Sequence, residues 1–167
     1  MSLLKPVTIP FLLLFYLNTS FIEPRPAPGE VSMSRVVRIV DGDTYDILIN
    51  GIQTRIRMDG IDAPERGQPY YQVSKEYLGR LCEGQTVRLQ VKSRDRFGRT
   101  VAKSWISGNR ELGAEMIRAG MAWHFTKYSD EVQLSHLESE ARRARKGLWA
   151  DPRPVAPWDY RKMKRRK

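Results

Sequence analysis

The stretch TYDILINGIQTRIRM, Thr44 to Met58, reads as a β-hairpin. Its second arm keeps a period of two: Ile52, Thr54, Ile56 and Met58 fall on one face and Gln53, Arg55 and Arg57 on the other. Asn50-Gly51 between the arms is a strong turn signal, because both residues accept the positive φ of a tight hairpin turn. Working outward, RVVRIV (Arg35–Val40) reads as a strand before the hairpin. TVRLQV (Thr86–Val91) and TVAKSWI (Thr100–Ile106), joined through KSRDRFGR, read as two strands after it. A helix is expected over Tyr71–Leu81, with Tyr77, Leu78 and Leu81 facing inward and Gly84 past its end. Two more follow the sheet: RELGAEMIRAG, capped by Asn109, and a longer helix capped by Ser129 or Asp130 that runs to about Lys146. The element pattern is α+β, mainly β: a five-stranded OB-fold barrel with three helices.

At 167 residues the chain suits one domain with short tails. Residues 1–20 carry Lys5, the apolar run FLLLFYL (Phe11–Leu17) and then Asn18, Thr19 and Ser20, the layout of a signal peptide or membrane leader. That implies an exported protein, secreted or periplasmic, and a membrane-anchored one if the leader is not cleaved. Residues 21–34 form a Pro-rich linker, 35–150 the folded domain, and 151–167 a Pro-rich and basic tail. The only cysteine, Cys82, excludes an internal disulfide, and beside Leu78 and Leu81 it reads as a small core residue.

Lys and Arg outnumber Asp and Glu by 29 to 19, a formal charge of +10, which points to a polyanionic partner, nucleic acid before anionic membrane. Half of that excess sits in residues 151–167, where RKMKRRK (Arg161–Lys167) reads either as a solvated run or as a binding element. Against this background Val40–Glu65 is acidic, with Asp41, Asp43, Asp46, Asp59, Asp62 and Glu65 against Arg55 and Arg57. Asp41 and Asp46 read as ordinary turn residues. Asp43 ends one loop and Asp62 and Glu65 occupy another, at strand ends that the barrel would bring together. Crowded carboxylates repel unless a cation joins them, and oxygen ligands of this kind suit Ca²⁺, whereas the absence of a His- or Cys-rich pattern argues against zinc. Arg57 and Arg99 nearby would complete a phosphate-shaped site.

The set VDGDT (Val40–Thr44), RMDGIDAPE (Arg57–Glu65), DRFGR (Asp95–Arg99) and GMAW followed by ARRARKGLWADPRPVAPW resembles the thermonuclease, or staphylococcal-nuclease-like, family of calcium-dependent nucleases. The resemblance runs from about Val36 to Trp158 and makes residues 35–150 a nuclease OB-fold domain. It implies that Asp43 and Asp62 ligate Ca²⁺ with their side chains and Ala63 with its carbonyl, and that Arg57, Glu65 and Arg99 are catalytic. The implied reaction is hydrolysis of phosphodiester bonds in DNA and RNA with little sequence specificity, leaving 3′-phosphate ends. Ala63 and Phe97 stand where the family often has Thr and Tyr, so two hydroxyls are lost.

Single strands are the favoured substrate form, and Tyr70, Tyr71, Trp123, Phe125 and Tyr128 are candidate stacking faces. Trp123 and Phe125 read more naturally as packed between helices, and Tyr128 as the exposed ring. Lys92, Arg94, Arg96 and Lys127 are candidates for a phosphate path. His124 and His136 lie outside every motif and read as structural or surface residues. The chain is expected to be a monomer without an obligate protein partner. The alternative is a non-catalytic OB-fold module that binds nucleic acid; a lipid-gripping membrane protein would explain the leader and the tail but not the Asp, Arg and Glu set.

Overall fold

Asn50 and Gly51 both adopt positive φ, 49° and 82°, and the turn they make joins the two arms of the expected hairpin. The computed structural model describes residues 26–166; the leader expected at 1–20 and the start of the linker lie outside the described residues. Eight strands and four α-helices follow in chain order. The strands are β1 (Val31–Ile39), β2 (Thr44–Ile49), β3 (Ile52–Met58), β4 (Ile61–Asp62), β5 (Thr86–Arg94), β6 (Thr100–Ile106), β7 (Arg110–Glu111) and β8 (Trp123–His124). The helices are α1 (Tyr71–Cys82), α2 (Leu112–Arg118), α3 (Val132–Arg143) and α4 (Pro157–Arg165).

The five long strands form the ring β3-β2-β1-β5-β6, closed by parallel pairing of β3 with β6 in which Ile56 faces Thr100. This is the expected barrel. Bulges in β1, between Val36 and Arg38, and in β5, between Val91 and Ser93, bend the strands enough to close it. Alternation puts Val36, Tyr45, Ile47, Ile56, Val87, Leu89 and Ala102 inside with no exposed surface. Helix α1 adds Leu78 and Cys82 to this core, and α2 adds Leu112, Met116 and Ile117. Burial pushes the Cys82 thiol up to about 12, as suits a core residue.

Three local expectations are corrected. Asn109 does not cap α2: at φ 56° it sits in the turn that folds β6 back on β7, and the helix begins after Glu111. Neither Ser129 nor Asp130 caps α3, which begins after Glu131; Ser129 Oγ instead faces His124 Nε2 at 3.2 Å. Helix α3 stops at Arg143, short of Lys146, because Arg145 and Gly147 take positive φ to bring the chain against Gly120. There the backbones nearly touch, and a Cβ on Gly120 would lie 2.2 Å from the Lys146 carbonyl oxygen. The fourth α-helix exceeds the expected three: within 151–167, Pro157 at the first turn needs no hydrogen-bond partner for its nitrogen and starts α4. Asp159 in its first turn and Lys162, Lys164 and Arg165 in its last suit the helix dipole.

Asp46 is also corrected, from turn residue to ion-pair hub within β2. Its register neighbours are Arg38 on β1 and Arg55 on β3, so two guanidinium groups reach its buried carboxylate at 2.7 and 2.8 Å. Gln53 Nε2 donates a further bond at 2.7 Å. Burial alone would push the carboxyl up, but the bonds from Arg55 and Arg38 outweigh it and hold the pKa below the ordinary 3.8. A lowered carboxylate pKa stabilises the fold above the unfolded-state value, and the contribution fades as pH falls through the folded-state value. Asp46→Asn is therefore expected to lower stability by about 1–3 kcal/mol at pH 7 and to flatten the acid-side loss below about pH 4, measured by denaturant titration across pH. Gly120→Ala is expected to cost about 2 kcal/mol or more in the same measurement, since both φ and the facing carbonyl oppose a side chain.

Candidate active site

The loop between β1 and β2 and the short strand β4 bring Asp43 and Asp62 to one end of the barrel. A buried carboxylate needs donors, and the surrounding backbone supplies them to Asp43. Ala63 N–H donates to its Oδ2 at 2.7 Å and Thr44 Oγ1 to its Oδ1 at 2.9 Å. Asp62 is fixed by β4, whose backbone pairs with β8 so that Asp62 faces Trp123. Between the two acids lies Arg57 from the end of β3, with Nη2 at 3.1 Å from Asp43 Oδ2 and 2.9 Å from Asp62 Oδ1. Arg57 Nη1 donates to its neighbour's carbonyl, Met58 O, at 2.7 Å, so this guanidinium is anchored from both sides.

Glu65 follows in a turn closed by Gln68 N–H to Glu65 O at 2.8 Å and Glu65 N–H to Gln68 Oε1 at 3.0 Å. Its carboxylate meets Arg161 of α4, whose Nη1 lies 2.5 Å from Oε1, and the same guanidinium donates to Asp62 Oδ2 at 2.7 Å. Four of the residues singled out in the sequence, Asp43, Arg57, Asp62 and Glu65, thus meet, with Ala63 between them. Arg99 does not join them. The turn Asp95–Arg99 folds around the Asp95 carboxylate, which accepts from the backbone of Phe97 and Arg99 and from Arg99 Nε at 2.6 Å. The second guanidinium that does meet them is that of Arg161. Nothing in a basic terminal run signals one particular partner so far away in the chain.

Burial raises the Asp62 pKa and the charge of Asp43 adds to it, offset in part by Arg161 and Arg57. Asp41 accepts from Asp43 N–H at 3.1 Å, the turn role read from the sequence, and burial followed by the Asp43 charge pushes it up to about 7. Four acids, Asp41, Asp43, Asp62 and Glu65, thus stand against two arginines, Arg57 and Arg161. The donor chemistry fits a hard divalent ion: two buried carboxylates side by side and no His or Cys among them. Among the described residues no three His, Cys, Asp or Glu side chains form a cage, so an ion on Asp43 and Asp62 needs backbone and water ligands as well.

The surroundings sort the remaining candidates. Trp123 is buried edge-on to Trp149, their centroids 4.3 Å apart, and Phe125 stacks on Trp158 at 5.1 Å. Tyr128 and Phe97 are exposed, with Lys127 over the first ring and Arg96 over the second. Tyr70 and Tyr71 are half-buried where α1 begins. Lys92, Arg94, Arg96 and Lys127 are exposed, Lys92 being paired with Asp59 at 2.9 Å. His124 is buried, with Nδ1 at 2.9 Å from Ser135 Oγ, and His136 lies on the surface near Glu140. Both histidines are structural or surface residues, as read.

Residues 55–151 match the family model described as Staphylococcal nuclease homologue. An "Uncharacterized endonuclease" of Escherichia coli is 38% identical over 130 residues, covering 78% of this chain and 85% of that one. A "Micrococcal nuclease" of Shigella flexneri is 39% identical over 137 residues, covering 76% and 79%. A staphylococcal-like nuclease of Arabidopsis thaliana is 39% identical over 111 residues, 66% of this chain but 34% of the longer plant protein. The matched segment spans more than half of the chain, from the end of β3 past α3, and includes Arg57, Asp62 and Glu65: the chain belongs to the staphylococcal nuclease homologue family.

Proposed function

We propose that the protein is a calcium-dependent nuclease that hydrolyses DNA and RNA with little sequence preference and leaves 3′-phosphate ends. The observation that carries this reading is the buried Asp43–Arg57–Asp62 cluster with Glu65 at its rim, in a chain of the nuclease family. A divalent cation held by Asp43, Asp62 and the Ala63 carbonyl would supply Lewis-acid charge to a phosphate oxygen.

The chain's own residues do the rest. Arg57, anchored at Met58 O and largely buried, presents a rigid donor to a second phosphoryl oxygen as charge builds in the transition state. Arg99 is proposed to exchange Asp95 for a phosphoryl oxygen when substrate arrives, since a phosphate offers the same planar pair of acceptors. Glu65, at the partly exposed edge of the cluster, accepts the proton of the attacking water. The exposed rings of Tyr128 and Phe97 offer stacking faces to unpaired bases, and the positive surface draws the polyanion in. Export through the apolar leader, and a monomeric state, belong to the same reading. No described helix is long and apolar enough to cross a membrane.

With single-stranded DNA as substrate, cleavage is expected with Ca²⁺ and none with a chelator. Glu65→Gln is expected to reduce kcat by about 10²–10⁴-fold, and Arg57→Ala and Arg99→Ala by about 10²–10³-fold each, in a fluorescence-release assay. DNA binding without cleavage under any divalent ion would replace this reading with that of a binding module.

A further inference from the structure

We propose that α4 is a latch on the acid cluster: the Arg161 guanidinium serves as resident counterion of Asp62 and Glu65 and has to leave Asp62 before a divalent cation binds. The proposal rests on the reading of Asp43 and Asp62 as cation ligands. Arg161 donates through Nη2 to Asp62 Oδ2 at 2.7 Å, and through Nη1 to Asp62 Oδ1 at 3.2 Å and Glu65 Oε1 at 2.5 Å. Arg57 takes Asp62 Oδ1 as well, while Thr44, Ala63 and Arg57 satisfy Asp43. Every oxygen of the two aspartates already accepts from the protein. A calcium ion sits about 2.3–2.6 Å from a carboxylate oxygen, which would place it against the Arg161 guanidinium, and two cations that close repel strongly.

Of the two arginines, Arg161 is the less buried. Arg57 lies within a barrel strand with 12% of its side chain exposed, whereas Arg161 is 34% exposed on the last helix. Among the described residues Arg161 is also the only side-chain partner of the Glu65 carboxylate. One side chain thus occupies both the cation site and the proposed base.

The helix is buried at one end and exposed at the other. At its start Ala156 and Pro157 are buried, Trp158 stacks on Phe125 with an interplanar angle of 5°, and Gln68 Nε2 donates to Val155 O at 2.5 Å. Further along, Lys162 to Arg166 are exposed, and Tyr160 and Met163 line a cleft of about 240 Å³ together with Pro64, Pro69 and Tyr70. The same helix carries Arg161, Lys162, Lys164 and Arg165 against one acid, Asp159, so an arriving polyanion pulls it away from the acids. Cation and nucleic acid then favour the same open arrangement and strengthen each other's binding.

The test is calorimetric titration of Ca²⁺ into the full chain, its Arg161→Ala and Arg161→Lys variants, with hydrogen exchange of residues 158–166 followed with and without Ca²⁺. Arg161→Ala is expected to bind Ca²⁺ at least about tenfold more tightly, the equivalent of one lost ion pair. Arg161→Lys, which keeps the charge but loses the fork, is expected to fall between. In the unaltered protein, amides of 158–166 are expected to exchange faster once Ca²⁺ is bound. Equal or weaker Ca²⁺ binding by Arg161→Ala, or exchange that Ca²⁺ does not change, overturns the latch and leaves the calcium reading standing. Failure of both the unaltered protein and Arg161→Ala to bind Ca²⁺ overturns both.

Discussion

Two ionised carboxylates do not share a buried site unless a cation lies between them, and in this protein the first such cation is Arg57. Its position explains why three separate pieces of chain converge. The turn after β1 delivers Asp43, the last residue pairs of β3 aim the guanidinium, and the two-residue ladder of β4 with β8 holds Asp62 in place. With the shared guanidinium, and with Arg161 beside Asp62, every oxygen of the pair has a donor.

The second organising feature is aromatic. Trp123 follows Asp62 in the β4–β8 ladder and also lies in contact with Trp149 and Trp158, with Arg142 over the Trp123 and Trp149 rings. One residue therefore couples the acid cluster to the end of α3 and to the base of α4. The close Gly120–Gly147 approach brings that end of α3 near enough for the rings to meet.

The barrel was legible because its signals are local: period-two alternation, Asn50-Gly51 at the hairpin, and strand-length runs between turns. Helix ends were less so, because Asn109 and Ser129 have good capping chemistry that tertiary demands redirected, one into a β6–β7 turn and the other toward His124. Asp46 looked like a turn residue because its composition context is acidic and loop-rich; only the register of three strands reveals Arg38 and Arg55 on either side. Of the site, the motif residues Asp43, Arg57, Asp62 and Glu65 meet as their spacing in strand-end loops led one to expect. Arg161 was invisible, because a run of lysines and arginines has no period that marks one member, and its partners lie across the whole domain. Arg99 was placed near the site by motif, but its own turn satisfies it first.

The parallel closure of β3 on β6 has a kinetic consequence. Hairpins such as β2–β3 join neighbours in sequence, whereas the β3–β6 pair must wait until α1 and β5 have been threaded between them, and the loop entropy is lost before the contact forms. Helix α4 docks on a surface that exists only after that. Sequence separation therefore rises from the hairpin through the ring closure to the docking of α4. A fragment that stops short of α4 lacks the Arg161 guanidinium on Asp62 and Glu65.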